Sequence, residues 1–434
     1  MISKAALSPT QGSTRVMLWV LLVVYVFNFL DRQIVNILAE PIRRDLGISD
    51  TQIGLMTGLA FALFYTVLGL PIARYADRPS TDRSRLIAGA LAIWSAMTAL
   101  CGFAQSFAQL LLARIGVGVG EAGCTPAAHS LIADRVPAER RASAMAFYAL
   151  GIPIGSLLGM MLGGYLADTL GWRKAFMVAG IPGLILALCV VLLIKDSHRK
   201  TFAQSTTAPT ETVFAALGAL FKSPAYLILV AAASASSFLS YGKATWTTIF
   251  FQRSYGLSPS EVGFTFGLWG GVAGVAGTWL GGWLADRFGR VDRRHVVTAP
   301  AIGMALAVPI AITAYFMTDW RLSLMLLMVP TVLNSLYYGP VYSSVQGLVA
   351  RRHRATASAF LLFCQNLIGL GLGPLFFGML SDSIKPTYGE DSVRYVLYGA
   401  ACLGLIPALL FWILRPRLHA ELDQHERAET QASD

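Results

Sequence analysis

Along this chain, long apolar stretches alternate with short polar breaks. A helix needs about 20 apolar residues to cross a bilayer core, and a window of that length finds twelve such stretches. They run approximately over 16–39, 52–75, 84–104, 108–132, 142–167, 173–194, 225–252, 261–285, 296–317, 322–349, 355–381 and 394–414. Pro153, Pro182, Pro340 and Pro374 lie inside them. Membrane helices tolerate this because neighbouring helices and waters satisfy the freed backbone groups. The expected fold class is an all-α membrane protein with twelve transmembrane helices.

The breaks orient the spans. Of the 34 Lys and Arg residues, 23 fall in the N-terminus, the loops from even to odd spans and the C-terminal tail, against eight in the opposite loops. Positive residues mark the cytoplasmic face, so both termini are expected there, with the protein in the plasma (inner) membrane. We call that face the basic side. The longest break is Ser/Thr-rich from Ser205 to Thr210, and a hydrophilic tail follows Arg415. Both read as flexible or surface-lying. The expected organisation is a six-helix bundle over 1–194, a cytoplasmic linker over 195–224, a second six-helix bundle over 225–414 and a cytoplasmic tail over 415–434.

Composition removes other classes. Charged residues make up 13% of the chain, about half the share in a soluble domain. The net charge of +10 does not point to nucleic acid, because the bases recur in short runs between spans rather than on one face. The five cysteines fall inside spans, their number is odd and no C-x-x-C occurs; neither a disulfide nor a metal site is expected. No cofactor is expected either. Residues 1–15 are polar and the first apolar run is a full span, so no cleavable signal is expected.

Two acidic residues stand out by position. Asp31, in FNFLDRQIV, and Glu121, in ARIGVGVGEAG, lie well inside spans. A carboxylate there costs roughly 2.5–3.5 kcal/mol on insertion scales, and an intramembrane ionisable group is a functional hypothesis by default. The basic residues at depth are Arg32, Arg114 and Lys243. Arg114 and Asp31 come to similar depth, so a contact between spans 1 and 4 is geometrically possible. Glu121 follows Arg114 by two helical turns, about 10 Å deeper on nearly the same face. Protonating the acid would free an arginine for an anionic headgroup; the plainer reading is a static ion pair holding two helices together. Arg32 sits roughly 100° around the helix from Asp31 and can face another helix. Lys243 can attract a phosphate or carboxylate, or snorkel outward. His129, near the basic end of span 4, can help a proton leave or simply pack. Asp31 and Glu121 are thus candidates for proton coupling. Arg114, Arg32 and Lys243, with the second-half polar residues Ser240, Tyr241, Trp246, Tyr338, Gln365 and Asn366, are candidates for substrate contact. Any single one of that polar set can equally be an interhelical hydrogen bond.

The two halves repeat each other. Residues 28–78 align with 237–287 at a constant offset of 209 without a gap. Gly47 meets Gly256, Ser49 meets Ser258, Gly54 meets Gly263, and Ala76-Asp77-Arg78 meets Ala285-Asp286-Arg287. Arg141–Phe147 matches Arg354–Phe360 at an offset of 213. A parallel six-plus-six repeat is the layout of the major facilitator superfamily, with a substrate site near the midplane. GGWLADRFGR (Gly281 to Arg290) resembles that superfamily's loop signature G-x-x-x-D-R-x-G-R, and ARYADRP (Ala73 to Pro79) resembles a degraded first copy. Within the superfamily the chain is similar to spinster-like transporters of lysolipids and sphingosine phosphates, through NFLDRQ (Asn28 to Gln33), RIGVGVGEAG (Arg114 to Gly123), SLIADRVP (Ser130 to Pro137) and FYALGIPIGSLLG (Phe147 to Gly159).

The resemblance implies two pseudo-repeated six-helix bundles and a carrier working by alternating access. It also implies a cytoplasmic gate built from Asp77, Arg78, Asp286, Arg287 and Arg290. Gly118–Gly123 spells G-x-G-x-x-G, but no strand precedes it, so close helix packing is the better account than dinucleotide binding. Gly151, Gly155, Gly159 and Gly163 on span 5 have the spacing of a close helix seam, as do Gly267/Gly271 and Gly277/Gly281 on span 8. No H-E-x-x-H, G-x-S-x-G or P-loop pattern supports an enzyme. The expected partners are protons, an anionic or zwitterionic lipid-like substrate or a small organic anion or drug, and membrane lipids, with the carrier a monomer.

Overall fold

The computed structural model describes residues 11–78, 80–196, 213–350 and 353–431. Pro79, the Ser205–Thr210 stretch and the N-terminus through Thr10 lie outside the described residues. Among the described residues the regular structure is helical, with no strand. Nine stretches are long and apolar enough to cross a membrane. Two of these each hold two spans: Ser143–Leu193 breaks at Gly171, whose φ of 80° only glycine adopts cheaply, and Thr356–Gln424 breaks after Tyr388. The helix Pro259–Gly289 supplies the twelfth.

The spans are α1 (Gln11–Leu46), α2 (Asp50–Ala76), α3 (Arg83–Cys101), α4 (Phe107–Arg135), α5 (143–170), α6 (172–193), α7 (Pro224–Ser254), α8 (Pro259–Gly289), α9 (Thr298–Phe316), α10 (Trp320–Leu348), α11 (354–388) and α12 (392–431). The repeat seen in sequence is present in the backbone. Gly47 and Gly256 both take a left-handed φ, 62° and 68°, which turns the chain into the next helix. Ser49 then caps α2 in a box with Gln52, and Ser258 and Glu261 exchange the same two hydrogen bonds at the start of α8.

The described residues form two compact units. One lies within 1–48, 60–207 and 258–267, the other within 49–59, 208–257 and 268–434. The chain leaves the second unit for the first inside α2, at the end of a π turn over Leu55–Leu59. A π turn inserts a residue into the helical ladder and bends it.

In the first unit the α5 glycines lie on α1. A Cβ at Gly151, Gly159 or Gly163 would fall within 3 Å of Tyr25, Leu30 or Ile34, so the four-residue spacing is a close seam. Gly118 packs on the Phe61 backbone and Gly120 on Trp94, which is what the G-x-G-x-x-G run is for. In the second unit Gly277 and Gly281 meet α10 backbone, whereas Gly271 has no neighbour within 4 Å and belongs to no seam. The indole of Trp246, fully buried, donates to the Pro374 carbonyl at 2.9 Å.

The tail differs from expectation. Leu405–Gln431 is one helix, so α12 runs on past Arg415 rather than giving way to a flexible segment. Leu414 and Leu418, four apart, are fully buried, and Leu422 packs beside them. Glu421 accepts from the Ala225 amide at 2.9 Å and from the Ser223 hydroxyl, capping α7. This apolar stripe and cap dock the tail on the second unit.

Candidate functional site

Asp31 and Arg32 are neighbours on α1, so their side chains diverge by about 100° and each finds its own partner. Asp31 accepts a hydrogen bond from the Thr98 hydroxyl of α3 at 2.7 Å and faces Arg114 of α4 at 3.8 Å. Arg32 donates through Nε to Glu121 at 2.7 Å. Its guanidinium also lies over the rings of Tyr65, Phe61 and Phe29 at 4.5, 5.0 and 5.1 Å. Phe61 takes Arg114 as well, at 5.6 Å.

All of this is within the first unit and almost fully buried. Asp31, Arg114 and Glu121 are at most 4% exposed, and the Arg32 side chain is 15% exposed. Two acids and two bases make a cluster of zero net charge. The hydrogen bonding is incomplete. Among the described residues, Glu121 Oε1, Asp31 Oδ2, Arg114 Nε and Nη1, and both amide atoms of the fully buried Asn28 have no hydrogen-bond partner. Glu121 closes the first stretch of α4, where a turn at Ala122–Gly123 precedes Cys124. His129, further along α4, is exposed and meets the buried Tyr148 ring edge-on at 5.5 Å.

Asp31 and Arg114 thus stand close enough to pair. The partner of Glu121 is Arg32, not the Arg114 that helical stacking suggested, because a long guanidinium on α1 reaches the carboxylate across the Phe61 ring. Thr98, Tyr65, Phe61 and Asn28 were not singled out from sequence. Only Asn28 carried a signal, one turn before the charged pair in NFLDRQ.

In the second unit Ser240 and Tyr241 are exposed and Lys243 is half-buried; among the described residues no acidic partner of Lys243 is seen. Tyr338 is half-buried and stacks on Tyr337 at 4.3 Å. Asn366 is half-buried in a π turn over Gln365–Leu372. Gln365 is buried and committed, donating to Ser237 at 3.1 Å and accepting from Tyr342 at 3.2 Å. Gln365 and Trp246 therefore have their polar atoms occupied by helix packing.

The signature residues sit at helix ends. Asp77 accepts from the Ser130 hydroxyl at 3.2 Å, and Arg78 lies over Tyr75 at 5.6 Å. The same Ser130 accepts from Arg83, which also binds Asp134 and makes three hydrogen bonds to Asp196. Burial alone would raise the Asp196 carboxyl, but the Arg83 hydrogen bonds and charge outweigh it and hold that group below its ordinary range. Asp286 and Arg290 line a cavity of about 490 Å³ with Arg293 and His419, and Arg287 is exposed. Among the described residues no cluster of His, Cys, Asp and Glu is built to hold a metal.

Comparison with known proteins agrees with this architecture. The Major Facilitator Superfamily profile matches residues 21–370 and 281–433. An MFS-type efflux pump of Mycolicibacterium smegmatis (strain ATCC 700084 / mc(2)155) is 35% identical over 412 residues, covering 94% of each chain. Protein spinster homolog 1 of Xenopus tropicalis is 26% identical over 434 residues, covering 94% of this chain and 81% of its own. The crystal structure of a bacterial homolog to the human lysosomal transporter Spinster, inward-facing and unoccupied, superposes with a TM-score of 0.87. It has 29% identity and covers 95% of this chain and 99% of its own. The twelve-helix chain belongs to the major facilitator superfamily, and within it to the spinster-like family.

Proposed function

We propose that this transporter is a proton-coupled carrier of an anionic or zwitterionic lipid-like molecule, of the lysophospholipid or sphingosine-phosphate type. It works by alternating access in the plasma membrane with both termini cytoplasmic. The observation that carries the reading is the buried, neutral cluster of Asp31, Arg32, Arg114 and Glu121. Its charges balance without cargo, so adding one proton to Glu121 leaves Arg32 in excess. Arg32 is the most accessible member, and an anionic headgroup restores the balance. Lys243, with no acidic partner among the described residues, is a further candidate for contact with an anionic group. Ser240, Tyr241, Tyr338 and Asn366 are further candidates for substrate contact, while Trp246 and Gln365 act through packing. Asp77, Arg78, Asp286, Arg287 and Arg290 form the cytoplasmic gate, and the carrier functions as a monomer.

A second cargo class is favoured by one comparison. The 35%-identical relative is named an efflux pump, which fits a small organic anion or drug carried by the same mechanism. Reconstituted protein distinguishes the two. Glu121→Gln and Asp31→Asn are expected to abolish pH-gradient-driven uptake of a labelled lysophospholipid while the melting temperature holds. Full pH-dependent uptake in both variants would remove the coupling. Affinity that rises with acyl chain length at constant charge supports the lipid, and affinity indifferent to chain length supports the small anion.

A further inference from the structure

We propose that Asn28 is a positioning residue on the proton route, holding the water through which Glu121 exchanges its proton with the basic side. The inference rests on the proton-coupled reading above. Asn28 is fully buried, and among the described residues neither its amide nitrogen nor its oxygen has a hydrogen-bond partner. Buried amides are almost always bonded, and an exception calls for an explanation. Arg32 lies four residues on, on the same helix face, and side chains on a helix lean toward its N-terminus. Arg32 therefore leans back over Asn28, and the carboxylate it grips comes with it. That carboxylate keeps one bare oxygen, Glu121 Oε1. The lean of Arg32 toward Asn28 thus points three unsatisfied polar atoms, two of Asn28 and one of Glu121, toward one turn of α1. Such a site is polar enough to hold a water, which needs two to four partners.

A primary amide suits the task because it both donates and accepts. It can orient a hydrogen-bonded water whichever way the proton travels. Toward the basic side the path continues through polar groups. Tyr25, one turn earlier on α1, stacks on Tyr148 at 4.2 Å, and Tyr148 meets the exposed His129. The proton leaves an imidazolium or hydronium, passes water to water, and ends on Glu121 as its carboxylic acid; only O–H and N–H bonds are exchanged. The charged and titratable groups around this path are Tyr25, Asp31 and Arg32 on its own helix and Tyr65 on α2. On α4 they are Arg114, Glu121, Cys124 and His129, and on α5 Tyr148.

The test separates proton delivery from cargo binding. In proteoliposomes with an entrapped pH dye and a labelled lysophospholipid, Asn28→Leu is expected to slow pH-gradient-driven uptake and proton entry about tenfold. Exchange of the same lipid at equal pH on both sides should stay within about twofold. Leucine has the amide's branched shape and removes its unpaired polar atoms, so the melting temperature should hold or rise. Asn28→Ser, which keeps a hydroxyl and leaves room for water, should restore most of the driven rate. Wild-type driven uptake in Asn28→Leu overturns the proposal. So does a lowered melting temperature with both rates lost in Leu and Ser alike, which assigns Asn28 to the fold. Glu121→Gln run beside them keeps the readings apart. If it retains full pH dependence, the coupling reading fails; if it loses pH dependence while Asn28→Leu does not, only the role of Asn28 fails.

Discussion

Arg32 occupies a position that lysine cannot fill. Its planar fork bonds Glu121 through Nε while its face lies over Tyr65 and Phe61; an ammonium offers a point charge and no plane. Arg32→Lys keeps the positive charge and its attraction for the ring faces but forfeits the planar stacking and the fork that bonds Glu121. Equilibrium binding of a lysophospholipid to the detergent-purified protein is expected to weaken about tenfold, and an unchanged Kd would remove Arg32 from the site. The four charged residues of the cluster were legible in the sequence because an ionised group in an apolar run has no packing explanation. The approach of Asp31 to Arg114 was legible too; the pairing of Arg32 with Glu121 was not. Helical spacing places Cα atoms, but the reach of a guanidinium exceeds one turn, and that reach takes Arg32 to Glu121. Thr98, Phe61 and Tyr65 gave no sign, since hydroxyls and rings are ordinary in membrane helices.

At the scale of the element, the start of α3 is tied to the end of α6 by Arg83 and Asp196, both buried. Asp196 titrates below its ordinary value of 3.8 in the folded protein, so its ionised form stabilises this corner at all pH values above that. The contribution is lost as pH falls through the lower folded value. Melting temperatures in detergent are expected to be level from about pH 7 to 5 and to drop below about pH 4. Arg83→Gln should lower the plateau and flatten the drop. An equally steep acid drop in the variant would show that another carboxylate governs it. The spans and the two capped starts of α2 and α8 could be read from apolar length and from the paired Gly-x-Ser. The π turns of α2 and α11 could not, because one inserted residue leaves the apolar pattern unbroken. The docked tail was missed for a related reason: its charges mask three leucines at a spacing of four.

For the whole molecule, the internal repeat announced the superfamily architecture before any coordinates. It did not announce that residues 49–59 and 258–267 each pack with the unit built mainly from the opposite half. Gly54 rests on the Pro374 backbone and Gly263 on that of Met160, contacts made by tertiary closeness that no periodicity encodes.

The balanced cluster has an electrical corollary. Two positive and two negative side chains in the first unit present no net charge for a voltage to act on. In the proposed cycle a proton enters with a singly charged anion, and the sum is unchanged. Each uncompensated charge crossing the membrane would feel about 2.3 kcal/mol per 100 mV. Transport of a monoanionic lysophosphatidate analogue is therefore expected to proceed at one rate whether a potassium–valinomycin potential is imposed or not. A zwitterionic lysophosphatidylcholine, carrying the same proton, should speed up or slow down with the sign of that potential.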